Sequence, residues 1–202
     1  MEQNLTPLRF IHKLTYDQLP FSVKQRAEHC LLDLIGIAIA GSTTKLSSII
    51  HRHAAREFGG TIPIAFDSQT ASPSGVALAL GMTIDSLDGH DGFNPSKGHI
   101  GCGVIAALLS FVKVNPDISG PEFMARLVMG YEIGARLGIT LHDSVADYHT
   151  SGAWVSVATA AIGARSLGLN EDQTEHALGI AEYHGPRSQM MRCIDHPTML
   201  KD

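Results

Sequence analysis

The chain has 202 residues, 44% of them hydrophobic, which is enough to bury a sizeable core and excludes a disordered polypeptide. Its 15 Lys and Arg against 20 Asp and Glu give a net charge of −5 with no basic run, which excludes a general binder of nucleic acid or of anionic membranes. No stretch reads as a bilayer span or a signal peptide: Leu31 to Ala40 is short and interrupted by Asp33, and Met1 to Leu14 mixes polar with apolar residues.

Val23, Ala27, Cys30, Leu31, Leu34, Ile35 and Ala38 recur at helical spacing after Pro20 and Ser22, and predict a buried helix that stops at Gly41. Leu46 to Phe58 predicts a second helix, closed by Gly59-Gly60. Thr61 to Phe66 is the one extended segment, short and carrying a proline. Pro73 opens a helix through Leu80, and Val104 to Val112 predicts another that ends before Pro116. Ser119 and Glu122 have capping-box spacing, followed by a long helix to about Leu141 with Met124, Leu127, Val128, Tyr131 and Ala135 on its apolar face. On its other faces Glu122–Arg126 and Glu132–Arg136 are spaced as helical ion pairs, worth about 0.3 kcal/mol each. Ala153 to Leu167 follows, stopped by Gly168, and Asn170 with Gln173 caps a last helix from Glu171 to about Ala181. The expected fold is therefore all-α, a multi-helical bundle with at most one short β segment near 61–66.

Between the helices lies Asp85-Ser-Leu-Asp88-Gly-His90-Asp91-Gly-Phe-Asn-Pro-Ser-Lys97-Gly-His99, which brings carboxylates, imidazoles and an ammonium into one segment broken by Gly and Pro. These groups exchange protons near neutral pH and are held at both ends by packed elements, so this is the chain's best candidate for chemistry, set against the plainer alternative of a solvated acidic loop. Asp85, Asp88, His90, Asp91 and His99 also have the donor types of a metal site, but H-E-x-x-H and the calcium loop are both absent. His51 and His53 sit two apart on a helix, facing different ways, and the expectation is no metal.

Cys30, Cys102 and Cys193 are odd in number and widely separated, which argues against a disulfide framework and a structural zinc site and for a reducing cytoplasm. Cys102 stands at a helix start near His99 but lacks a cysteine-hydrolase context, and reads as a small packed side chain. Gly98, Gly101 and Gly103 follow a polar loop rather than a strand, so they make no dinucleotide fingerprint. His149 precedes the helix that contains Trp154. Helix entrances bind carboxylates, so the entrances near His99 and His149 would hold an anionic substrate if they converge.

Leu32-Asp33-Leu-Ile-Gly36 with Ala40-Gly41, the Asp85-to-Asp88 loop followed by His99, Gly130-Tyr-Glu-Ile-Gly-Ala-Arg136, His149 before a small-residue helix, Leu178-Gly-Ile-Ala181 and Lys201 together resemble the MmgE/PrpD family. That family includes 2-methylcitrate dehydratase, cis-aconitate decarboxylase and iminodisuccinate epimerase. The resemblance implies a helical domain over 1–202, without the family's α+β second domain, in a cytoplasmic homodimer that uses no cofactor and acts on a small polycarboxylate. It further implies a lyase, by default a dehydratase of a substrate such as 2-methylcitrate, with decarboxylation and epimerisation as alternatives. Asp85 or His149 would be the base, His99 the acid toward the leaving hydroxyl and Lys201 the carboxylate clamp, with Asp88, Lys97, Arg187 and Arg192 as further substrate-binding groups. Gly89 stands where the family's Asp-x-Asp-Asp-Thr pattern has its hydroxyl, the interval from Asp88 to His99 is longer than usual, and Ile100 replaces a familiar proline. A different class of function, a non-catalytic helical dimerisation module, stays open on the sequence alone, as does a metal-dependent hydrolase.

Overall fold

The protein is described by a computed structural model covering residues 6–187 and 189. Eight α-helices occur among these residues, α1 (Pro7–Lys13), α2 (Phe21–Gly41), α3 (Lys45–Phe58), α4 (Pro73–Asp85), α5 (Gly101–Val114), α6 (Gly120–Ser144), α7 (Gly152–Ser166) and α8 (Glu171–His184). Helix starts are set by side-chain caps. Thr6, Thr44, Ser72, Ser119 and Asn170 each accept the backbone N–H three residues on, a contact worth about 1 kcal/mol per helix. Gly168 ends the α7 region with φ +67°, and Asn170 with Gln173 forms the reciprocal capping box of α8.

α5 lies at the centre, packed between α4 and α7, while α6 and α8 flank α7 and α3 backs α4. The main core joins Val104, Ile105 and Leu108 of α5 to Leu127 and Met129 of α6 and to Trp154 and Ile162 of α7, all 2% exposed or less. Burying each large apolar side chain of this set contributes about 1.5–3 kcal/mol. A smaller cluster of Ala54, Ile64, Ala71, Val76 and Ala79 closes α3 against α4.

The helical class follows the sequence pattern, and four details differ from it. The extended segment narrows to β1 (Ile62–Pro63), paired antiparallel with β2 (Thr70–Ala71), and a second pair, β3 (Gly92–Phe93) and β4 (Gly98–His99), lies inside the polar loop. α4 runs five residues past Leu80, because Thr83 and Ile84 continue its buried face. That puts Asp85 in the last helical turn, not in a loop. α2 is buried on one side only: Ala27, Leu34 and Ala38 face the core, whereas Phe21, Leu32 and Ile39 are exposed. A run that is apolar all round does not reveal which of its faces has a neighbour. Finally, α6 buries Leu127, Gly130, Gly134 and Gly138 more deeply than Tyr131 or Ala135. A Cβ at Gly138 would come within 2.5 Å of Ser96 Cβ and 3.0 Å of Trp154, so glycine is what lets the loop and α7 approach α6.

Glu122 caps nothing with its side chain. It accepts from Arg126 Nε (2.7 Å) and from Arg165 Nε (2.8 Å) and Nη2 (2.7 Å), while Arg165 also donates to the carbonyls of Ile11 and Leu14. One guanidinium thereby ties α1 to α6 and α7. Burial pushes the Glu122 carboxyl up, but the hydrogen bonds from Arg165 and Arg126 outweigh it and hold the group below the ordinary glutamate range.

Candidate functional site

The segment between α4 and α5 is a folded hairpin. Gly92 pairs with His99 and Phe93 with Gly98, the 3-10 turn Asn94–Ser96 forms its tip, and Lys97 reverses the chain with φ +54°. Behind the strands, Ile100 N–H donates to the Asp91 carbonyl (3.3 Å) and Gly101 N–H to the His90 carbonyl (3.1 Å), so the ladder runs on into α5. Asp88 and Asp91 both take positive φ, near +59° and +58°, a conformation that Asp tolerates better than most residues. These two kinks turn the intervening His90 inward.

His90 is buried, and its ring stacks on that of His99 with centroids 3.6 Å apart and planes tilted by 39°. His90 Nε2 lies 2.9 Å from Asp85 Oδ1 and 3.2 Å from Asp88 Oδ1. The Asp85 contact is close but off the line of a hydrogen bond, and neither oxygen of this 3%-exposed carboxylate has a hydrogen-bond partner among the described residues. Asp88, by contrast, faces solvent.

The hairpin is fastened to α7. His99 N–H donates to Ser151 Oγ at 2.9 Å, and a Cβ on Gly98 would strike Ser151 Oγ at 2.5 Å and Trp154 at 2.9 Å. Ser151 is the N-cap of α7 and stands two residues beyond His149. The entrances near His99 and His149 therefore do converge. His149 is held by a residue with no sequence signal of its own: His142 Nε2 accepts the His149 backbone N–H (3.2 Å), and its Nδ1 lies 2.9 Å from the Gly138 carbonyl. A nitrogen that accepts and a nitrogen facing a carbonyl fix His142 as the Nδ1–H tautomer. The His149 ring is half-buried, and its Nδ1 has no hydrogen-bond partner among the described residues.

Asp91 points away from this cluster. Its carboxylate accepts a short hydrogen bond from Tyr131 and lines a cavity of about 630 Å3 with Arg26, Cys30, Phe93 and Glu132. Burial raises the Asp91 carboxyl above its ordinary range against the lowering effect of the Tyr131 hydrogen bond. Burial, then Asp91, raises the Tyr131 phenol strongly, and burial with the Asp91 charge raises the Cys30 thiol. Asp85 borders a second cavity, of about 280 Å3, together with Met82, Cys102 and Thr159.

Of the other expected residues, Lys97 is exposed at the hairpin tip and Arg187 is exposed and paired with Glu182. Arg192 and Lys201 lie outside the described residues, as does Cys193. Cys30 and Cys102 form no disulfide among the described residues. No single helix among the described residues is long and apolar enough to cross a membrane.

A helical domain with a histidine–carboxylate hairpin fastened to a second histidine-bearing helix entrance defines the class. A model of the MmgE/PrpD N-terminal domain matches residues 8–198, and the chain belongs to this family. It is similar to the cis-aconitate decarboxylase-like protein oryM of Aspergillus oryzae, 28% identical over 186 residues, covering 85% of this chain and 38% of that protein. It is similar also to the cis-aconitate decarboxylases of Homo sapiens (26% identical, 86% of this chain, 38% of that protein) and of Aspergillus terreus (26%, 83% and 36%). The chain thus spans between 36% and 38% of the length of these relatives.

Proposed function

We propose that this domain is part of a lyase that generates a carbanion next to a carboxylate of a small di- or tricarboxylate, without a redox cofactor, and works as a homodimer. The observation that carries this reading is the junction of His99 with the His149 helix entrance through Ser151, in a chain of the MmgE/PrpD family. Removing a proton α to a carboxylate leaves a doubly charged aci-carboxylate, so the site needs a base together with N–H donors or cations where that charge develops. His149 suits the base because its side chain as a whole is half-buried at the entrance of α7, whereas Asp85 is only 3% exposed and lies against His90. His99 then gives a proton to the departing hydroxyl, so that the C–H electron pair becomes the new alkene and water leaves. In this reading Asp88, Lys97, Arg187 and Arg192 assist binding, and Lys201 clamps a carboxylate.

Dehydration of an acid such as 2-methylcitrate is the outcome suggested by the family resemblance. The names of the curated relatives favour a second outcome, decarboxylation of an acid such as cis-aconitate. There the C–C electron pair stays on carbon as CO2 leaves, and an imidazolium protonates it. Both outcomes are read by proton NMR in deuterium oxide with 2-methylcitrate, citrate, cis-aconitate, malate and iminodisuccinate. Solvent deuterium in substrate or product, a new alkene signal, or a decarboxylated product supports the reading. Silence of the full-length protein toward the whole panel overturns it. His149→Asn should lower kcat by about 10²–10⁴ with little change in KM, and retained turnover refutes the base assignment.

A further inference from the structure

We propose that Asp88, His90 and His99, backed by Asp85, form a binding site for a divalent first-row transition ion of the zinc or iron(II) kind. One ligand atom from each of Asp88, His90 and His99 lies within 4.8 Å of the other two. Ligands bonded at about 2.0–2.2 Å and at angles near 90–110° stand about 3.0–3.5 Å apart. His90 Nε2 and Asp88 Oδ1, at 3.2 Å, already have that spacing, and a ring nitrogen of His99 lies within 4.8 Å of the other two ligand atoms. Two imidazoles with one carboxylate is a donor set that divalent zinc and iron favour over magnesium or calcium.

The second observation is the state in which the protein alone leaves this cluster. His90 is only 3% exposed, yet its Nδ1 has no hydrogen-bond partner among the described residues, and both Asp85 oxygens are enclosed in the same condition. A neutral ring leaves a buried carboxylate with too little positive charge beside it. Buried polar groups in this condition call for an ion or a water, and a dication at His90 Nε2 would supply the positive charge that the buried Asp85 carboxylate lacks. The stacking holds the second imidazole, that of His99, beside the first, with ring centroids 3.6 Å apart. Asp85 Oδ1, 2.9 Å from the same Nε2, would then stand beside the ion as a further anionic oxygen. Exposed Asp88 gives the ion its way in.

The inference does not rest on the proposed reaction. An ion on His99 occupies the lone pair needed for proton transfer, so the ion-loaded form would be a resting form.

The test is metal content of the full-length protein after purification without chelator, followed by calorimetric titration of the stripped protein with zinc chloride alone and by the visible spectrum with cobalt(II). One saturable site with cobalt bands of a nitrogen- and oxygen-ligated ion is expected. Asp88→Asn sits on the surface at a φ that Asn accepts equally, so it keeps the fold, and it should weaken zinc binding by at least about tenfold. His90→Gln should weaken it further, while His53→Ala, which changes an exposed histidine on α3, should leave it unchanged. No saturable binding, or equal affinity in wild type and Asp88→Asn, overturns the proposal. Because the readout is binding, its failure leaves the NMR result on turnover standing, and the reverse holds too.

Discussion

Ser151→Ala isolates the contact that joins the two halves of the candidate site. Ser151 is 5% exposed, and its Oγ accepts the His99 backbone N–H at 2.9 Å. Alanine removes the acceptor and opens the space that Gly98 leaves beside Oγ, so the His99 N–H stays buried without a partner. An orphaned buried donor costs about 1–3 kcal/mol. For a chain of this size each kcal/mol moves Tm by about 2–4 °C, so the variant should melt about 2–12 °C lower and show an unchanged urea m-value. The sharper assay is amide hydrogen exchange at His99. If the same 1–3 kcal/mol is lost from the local opening equilibrium, protection should fall by about 5–150-fold at His99 and its ladder neighbours, with little change in α3. Normal His99 protection in a variant of lowered Tm would refute the reasoning, because the hairpin would then be held by something other than Ser151.

Gly98→Ala attacks the same seam by overfilling it: the new Cβ meets Ser151 Oγ at 2.5 Å and Trp154 at 2.9 Å, and should cost about 1–3 kcal/mol in urea unfolding. Arg165→Ala should release α1 as well as break the Glu122 pair, costing about 1.5–3 kcal/mol and exposing the Ile11 and Leu14 region to early hydrogen exchange. The pH dependence of that pair has a definite sign. Glu122 titrates below its unfolded value, so its contribution is full above the ordinary glutamate range and is lost as pH falls through the lowered folded value. Arg165→Ala should therefore flatten the acid limb of the stability curve, and an unchanged limb would count against the pair.

The helices were legible because their signals are local. Asn170 with Gln173, Gly59-Gly60 and Gly168 mark ends that need no tertiary partner to take effect, and they fall where the structure has them. Contacts across the fold were not legible. Glu122 and Ser119 have the spacing of a capping box, but an arginine 43 residues away takes the carboxylate. The glycines of α6 look like weak points in a helix and become its closest packing positions only once Trp154 and Ser96 are seen against them. In the candidate site, His99 and His149 were identifiable from residue type and from the family resemblance, but their junction depends on a serine hydroxyl, and His142 had nothing in its surroundings to single it out. Asp85 drew attention as part of a charged loop, and only the length of α4 reveals that it is enclosed.

In the β3–β4 hairpin, side-chain variation at the exposed tip and the geometry of the two histidines are decoupled. Gly92 is paired with His99, so His90 and His99 stand at the open end of a closed ladder, and everything from Phe93 to Gly98 hangs beyond them. Ser96 and Gly98 of that segment are packed against α6 and α7, so it is the exposed positions Asn94, Pro95 and Lys97 whose side chains can vary without changing the separation of the two rings. Under the proposed function, the tip is thus a place where a new side chain such as Lys97 can be tried against a different acid while His90 and His99 stay as they are.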